Sequence, residues 1–339
     1  MPGIYYYIWN QYTLDDADEI NRDLEDIREL GFDFILVDLH ESFLREGDER
    51  HRRYRIGVRR LLRESGRLGL RVLPICNFGA GLFTKKWWNQ NLQSAMRTQD
   101  GSVFINPDHG IPVTNYDESS AEKLVAHQRY IVGLVGDVLY EHSGVGVVEV
   151  LEDAGFHYTE QNLTFPGDSI TERKTRLTLC LRAMRQEATD RGYKTLVKTF
   201  RCAQPFHADR DRMGIDYDAI VREADGIVDG IVHHPDAPGT TWNEQIRNGF
   251  ELVSSCELLF PVVLCERSHF SPGEQVEAIL EHTNPADVIF YQYNERISSD
   301  VGLREHEPHR QVVREWVREL AARNAQVAAL EVRTRMAEA

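Results

Sequence analysis

The chain has 339 residues and a formal net charge of −15, with 42% hydrophobic and 9% aromatic residues. That is enough apolar material for one large domain or two ordinary ones. So negative a chain is not built to hold a phosphate backbone, which needs a basic face.

Five cysteines, none in a CxxC pair, argue against a disulfide framework and against a zinc knuckle. No apolar run reaches the roughly 18 residues of a membrane span. The opening MPGIYYYIWN has the make-up of neither a signal peptide nor a lipid anchor. The expectation is a cytoplasmic protein with no membrane and no nucleic-acid partner, self-association being left open.

In chain order, short apolar runs alternate with helical patterns. Ile4–Trp9 reads as a strand, followed by a helix from about Asp15 to Leu30 that Thr13 can cap. FDFILVDL is the second strand. Its helix, RRYRIGVRRLLRESGRLG, stops at a glycine. LRVLPIC is the third strand, and a long segment from Asn77 to Asp117 precedes the helix AEKLVAHQRYIVGLVGDVLYEH.

GVVEVLEDAGF carries the fourth strand, and TERKTRLTLCLRAMRQEATDRG is the helix after it. YKTLVKTF, DGIVDGIVHH, LLFPVVLC and DVIFYQYN are strands five to eight, and a helix from His309 onward closes the chain. Apolar strands alternating with helices predict a parallel sheet covered on both sides. Eight such units predict a closed parallel (β/α)8 barrel, a single domain over residues 1–339 whose closing helix takes about 309–336.

In such a barrel the chemistry lies at the carboxyl ends of the strands. The residues expected there are Trp9, Asp38, His40, Asn77, Glu152, Lys198, His233, Glu266 and Tyr293. Alternation along a strand puts Val148, Val150 and Glu152 on one side, and Val262, Leu264 and Glu266 on one side. If both aliphatic sides point into the barrel, Glu152 and Glu266 crown its mouth. The opposite register would put Glu149 inside, lower down.

Two carboxylates across a pocket can break a glycosidic bond: one protonates the leaving oxygen, the other attacks the anomeric carbon or activates a water. Trp88, in the long third loop, either packs that loop or offers a ring to a sugar, as does Trp87. Lys198 can neutralise nearby acids or hold an acidic sugar.

Glutamates ending strands four and seven resemble the signature of the clan A retaining glycoside hydrolases. The loop FTKKWWNQNLQSAMRTQDGSVF followed by NPDHGIPVTNY is similar to the β-galactosidase-like branch. The resemblance implies that Glu152 is the general acid/base and Glu266 the nucleophile, on a carbohydrate substrate, with no cofactor and no metal. Leu151 stands where the clan carries Asn, so the sugar 2-hydroxyl would be held differently.

Rival readings use the same strand ends. A metal-dependent barrel enzyme, such as a sugar isomerase or a hydrolase, could draw on His40, Glu152, His233, Glu266 and Glu295. A Schiff-base aldolase could use Lys198. A carbohydrate-binding barrel would use none of them catalytically.

Overall fold

The computed structural model describes residues 4–7, 17–38, 49–77, 83–98, 100–105, 110–136, 145–150, 170–199, 230–233, 262–265, 288–291 and parts of 311–326. Its strands are β1 (Ile4–Tyr7), β2 (Phe34–Asp38), β3 (Arg71–Asn77), β4 (Val145–Val150), β5 (Lys194–Thr199), β6 (Gly230–His233), β7 (Val262–Cys265) and β8 (Val288–Tyr291). They pair in parallel in chain order, and β8 pairs back onto β1, so the sheet is a closed ring of eight strands. The described helices are α1 (Ala17–Glu29), α2 (Glu49–Arg67), α3 (Lys85–Gln90), α4 (Glu118–Val135) and α5 (Ile170–Arg191). The segments joining β5 to β8 lie outside the described residues, as does the expected Thr13 cap.

α1 buries Ile20, Leu24 and Ile27 completely. They sit at i, i+4 and i+7, so they form one stripe facing the ring. Each such burial contributes roughly 1.5–3 kcal/mol.

α1, α2 and α5 end alike. Gly31, Gly69 and Gly192 have φ of +100°, +72° and +81°. In each case the glycine N–H donates three residues back, and the next residue's N–H donates five back: Gly31 to Arg28 and Phe32 to Ile27, Gly69 to Gly66 and Leu70 to Ser65, Gly192 to Thr189 and Tyr193 to Ala188. This two-bond closure needs a left-handed residue, which glycine adopts without strain. The residue after each glycine, Phe32, Leu70 or Tyr193, is buried and leads toward the next strand. One local device thus turns helix into strand three times. Near the C-terminus, helical Trp316 is fully buried, and Val317 lies 3.6 Å from where a β-carbon on Gly31 would stand.

The segment after β3 folds where the sequence suggested only a long loop. Thr84 caps α3, accepting from the N–H of Trp87 at 3.3 Å. Beyond it, three stretches bridge one another antiparallel: Ala95 with Thr114, Arg97 with Val103, Ile105 with Pro112. Their inward residues, Met96, Phe104 and Val113, form a small core of their own.

α4 and α5 pack through a buried polar contact. The Gln128 amide donates to the Met184 carbonyl at 3.1 Å and to the Tyr193 hydroxyl at 3.2 Å. Beside it, Glu187 accepts from Arg129 at 2.7 Å on both oxygens, and also from Arg191. The Arg129 guanidinium, with Arg191 behind it, holds the Glu187 carboxyl down at about 2.

Candidate active site at the carboxyl ends of the strands

All eight strands run the same way around the ring, so their carboxyl ends share one rim. Asp38 ends β2, Asn77 ends β3, His233 ends β6, and Lys198 is the next-to-last residue of β5. Asn77 and Lys198 are register partners of the same residue, Val150 at the end of β4. Asn77, Val150, Lys198 and Val232 therefore form one level across four neighbouring strands.

Trp9, His40, Glu152, Glu266 and Tyr293 lie outside the described residues. Their chain positions follow from the strands: Glu152 comes two residues after β4, and Glu266 directly after β7.

Register also decides which strand positions share a face, because paired residues of parallel strands do. Val148 is level with Ile75 and Leu196, and Val150 with Asn77 and Lys198. Leu264 is level with Phe290, which is level with Tyr5 and through it Ile35 and Val72. Val72 and Ile75 are an odd number of residues apart on β3, so Leu264 and Val148 occupy opposite faces.

The other way around the ring gives the same answer. Val262 pairs with His233, His233 with Thr199, and Thr199 alternates with Lys198. The two aliphatic sides expected to point the same way therefore do not. The position sharing its face with Val262 and Leu264 on β4 is Glu149, level with Cys76 and Val197. The physical reason is that alternation orders residues within a strand, while only pairing orders one strand against another.

Trp88, expected at the sugar site, is 3% exposed. The Phe83 ring lies 5.7 Å from it and the Trp87 ring 4.8 Å, the latter edge-on. An indole so enclosed has no open face for a sugar, so its place is in packing the segment after β3. Its Nε1 is buried and has no hydrogen-bond partner among the described residues. Trp87 is half-buried.

This segment is tied to the helices behind it. Tyr116 is buried and has a φ of +54°, a conformation that costs a side-chain-bearing residue about 1–2 kcal/mol. Its N–H donates to the Thr114 hydroxyl at 3.1 Å, and the Cys180 thiol donates to its carbonyl at 3.6 Å. Arg176 donates to the Asn115 carbonyl at 3.3 Å. Asp117 caps α4 by accepting from the Ser120 N–H at 3.0 Å and its hydroxyl at 3.1 Å.

Burial pushes the Cys180 thiol up to about 12, which removes it from thiolate chemistry. Among the described residues no cluster of His, Cys, Asp and Glu could hold a metal ion. No described helix is long and apolar enough to cross a membrane.

No known protein family matches the chain, and no curated protein does. Solved structures do resemble it in fold. A GH36 α-galactosidase of Geobacillus stearothermophilus, crystallised with stachyose, aligns with a TM-score of 0.53 at 11% identity, covering 95% of this chain and 42% of that one. The same enzyme with 1-deoxygalactonojirimycin gives 0.56 at 11% identity, over 95% and 42%. A β-galactosidase from Rahnella sp. R3 gives 0.54 at 13% identity, over 95% and 56%. The chain thus spans about two fifths of the first of these proteins and just over half of the last. These neighbours are glycoside hydrolases, and at such identities the likeness is one of fold.

Proposed function

We propose that the chain is a glycoside hydrolase acting at the carboxyl-end rim of a complete (β/α)8 barrel. The observation that carries this reading is the rim itself. Asp38, Asn77, Lys198 and His233 stand at the described ends of four strands, and acid-bearing segments continue β4 and β7. Fold neighbours that are glycoside hydrolases support it, although fold alone does not fix function.

In the reading, Glu266 attacks the anomeric carbon while Glu152 protonates the leaving oxygen, which departs as the alcohol. Glu152 then takes a proton from water as the water displaces Glu266, and the anomeric configuration is retained. Trp9, Asp38, His40, Asn77, Lys198, His233 and Tyr293 are the residues proposed for the sugar site, with His233 coming from the face opposite that of Asp38, Asn77 and Lys198. Action is exo, on a carbohydrate chain end. Residues 1–339 act as one domain closed by the helix of about 309–336, with no cofactor.

A second reading follows from register. Glu149 shares its face of the sheet with Leu264, two residues before Glu266, whereas Val150, two before Glu152, lies on the other face. Glu149 is then the proton donor, and Glu152 belongs to the loop.

One experiment tests both. Wild type and the variants Glu266→Ala, Glu152→Gln and Glu149→Gln are assayed on a panel of aryl glycosides, with azide added to the alanine variant. The expected result is activity in the wild type, loss of roughly 10⁴-fold or more in Glu266→Ala, and azide rescue giving a glycosyl azide of inverted configuration. The glutamine variant that loses turnover on poor leaving groups identifies the acid. Full activity in Glu266→Ala would overturn both readings.

A further inference from the structure

The outer surfaces of α1 and α2 carry opposite charge in matching patterns. α2 holds eight arginines against two glutamates in a chain whose net charge is −15. Each of those glutamates is already shared: Glu49 between Arg52 and Arg53, Glu64 between Arg63 and Arg67. α1 is the reverse, with six acids against two arginines; Asp23 and Asp26 are buried, while Asp18, Glu25 and Glu29 reach solvent. The two helices lie side by side, Arg67 reaching Glu25 at 3.4 Å.

The spacing is the informative part. On α2, Arg52, Ile56, Arg59 and Arg63 fall at i, i+4, i+7 and i+11, one face of a helix. All four are exposed, Arg52 and Arg63 at 71% and 72% of their side chains and Ile56 at 49%. On α1, Asp18, Arg22, Glu25 and Glu29 fall at the same four offsets and all reach solvent. Cations at offsets 0, 7 and 11 on one helix thus answer carboxylates at offsets 0, 7 and 11 on the other. Each stripe is about 16 Å long.

We propose that this face joins two copies of the chain in a two-fold dimer, α1 of one copy lying along α2 of the other and the reverse. A two-fold interface must be self-complementary. A face that is acidic on one helix and basic on its neighbour satisfies that, whereas a uniformly basic one would suit a polyanion. Ile56 supplies the apolar centre that the surrounding charges frame. The inference is independent of the catalytic reading, because α1 and α2 lie on the helix layer and not at the strand-end rim.

Complementation is the test. Variant A carries Arg59→Glu and Arg63→Glu; variant B carries Glu25→Lys and Glu29→Lys, with circular dichroism and thermal melting confirming that each folds. Sedimentation equilibrium is run on the full chain at about 50 mM and about 500 mM salt, since screening over roughly 10 Å or less weakens such contacts. The wild type is expected to dimerise, more weakly at high salt. A and B alone should each dissociate about tenfold more readily or beyond, and an equimolar mixture of A and B should dimerise again, because both of its contacts are then opposite in sign.

If either reversal unfolds the chain, Arg59→Gln with Arg63→Gln replaces A, and its salt-insensitive, weakened dimer is the supporting result. A monomeric wild type at about 50 mM salt overturns the proposal. So does a dimer that both reversals leave intact. Monomeric wild type that sediments with phosphatidylserine vesicles would assign the α2 face to an anionic surface instead.

Discussion

The strand ring and the segment that interrupts it after β3 reach order by different routes. In the ring, backbone pairing between neighbours fixes each strand, and the same glycine closure delivers the chain from helix to strand at Gly31, Gly69 and Gly192. In the 83–116 segment the bridges are single and isolated, and side chains hold them. One cluster is Phe83, Trp87 and Trp88, another Met96, Phe104 and Val113, and polar ties from Arg176 and Cys180 clamp the far end. The contrast teaches where each part is vulnerable. The ring distributes its stability over many small equivalent contacts, while the segment concentrates it in a few large side chains.

The strongest way to break that contrast is Trp88→Ala. Removing a buried indole from an enclosed site costs about 3–5 kcal/mol. Because Asn115 and Tyr116 are bonded to α5, the loss is expected in the global melting temperature and not only as faster proteolysis within residues 83–116. A variant whose melting temperature is unchanged but which is cut quickly in that segment would show that the segment folds apart from the ring.

The two regions were also unequally legible. The ring's strands announce themselves as apolar runs, and the stop of α2 at Gly69 can be read directly because glycine there has a local cause. β6 was expected from Asp225; it is seen over Gly230–His233, and residues 225–229 lie outside the described residues. The small core after β3 left no pattern, because Met96, Phe104 and Val113 come one from each of three stretches and share no period. The Asp100-Gly101 turn was its one local sign.

The strand ends proposed for the site were legible, Asp38, Asn77, Lys198 and His233 among them. Its facing was not. That Val150 and Leu264 lie on opposite faces depends on a chain of pairings around the whole ring, which no single strand's alternation contains. Trp88 shows the same limit from another side: a tryptophan in a loop looks alike in sequence whether it is a platform or a core.

A second prediction sharpens the contrast in the helix layer. Glu187 binds its proton far less readily when folded than the ordinary carboxylate value of 4.5, reaching about 2, because Arg129 and Arg191 stabilise its charged form. A depressed folded value means stability that is present above about pH 4.5 and is lost as pH falls toward 2. Both arginines are about half exposed, so solvent reduces the contribution to about 1–2 kcal/mol. Urea unfolding of wild type and Glu187→Gln should differ by that amount near pH 6, and the difference should shrink steadily below pH 4.5. A difference that stays constant down to pH 3 would mean that packing of the α4–α5 contact, not charge, is what the substitution removes.

The smallest effect returns to the segment after β3. Gly101 holds the turn between two of its bridged stretches at a φ of +82°, with its N–H donating to the Thr98 carbonyl at 2.9 Å. A β-carbon there would meet nothing among the described residues within 4 Å, so they leave space for it. Gly101→Ala is therefore expected to cost only the backbone strain of a left-handed residue, about 1 kcal/mol. Gly101→Asn should cost less, because Asn tolerates that conformation. Two equal losses would point to a lost contact in place of strain. A loss of several kcal/mol from alanine alone would mean that the turn, and not the aromatic cluster, is what the segment's order depends on, and the contrast with the ring would have to be redrawn around it.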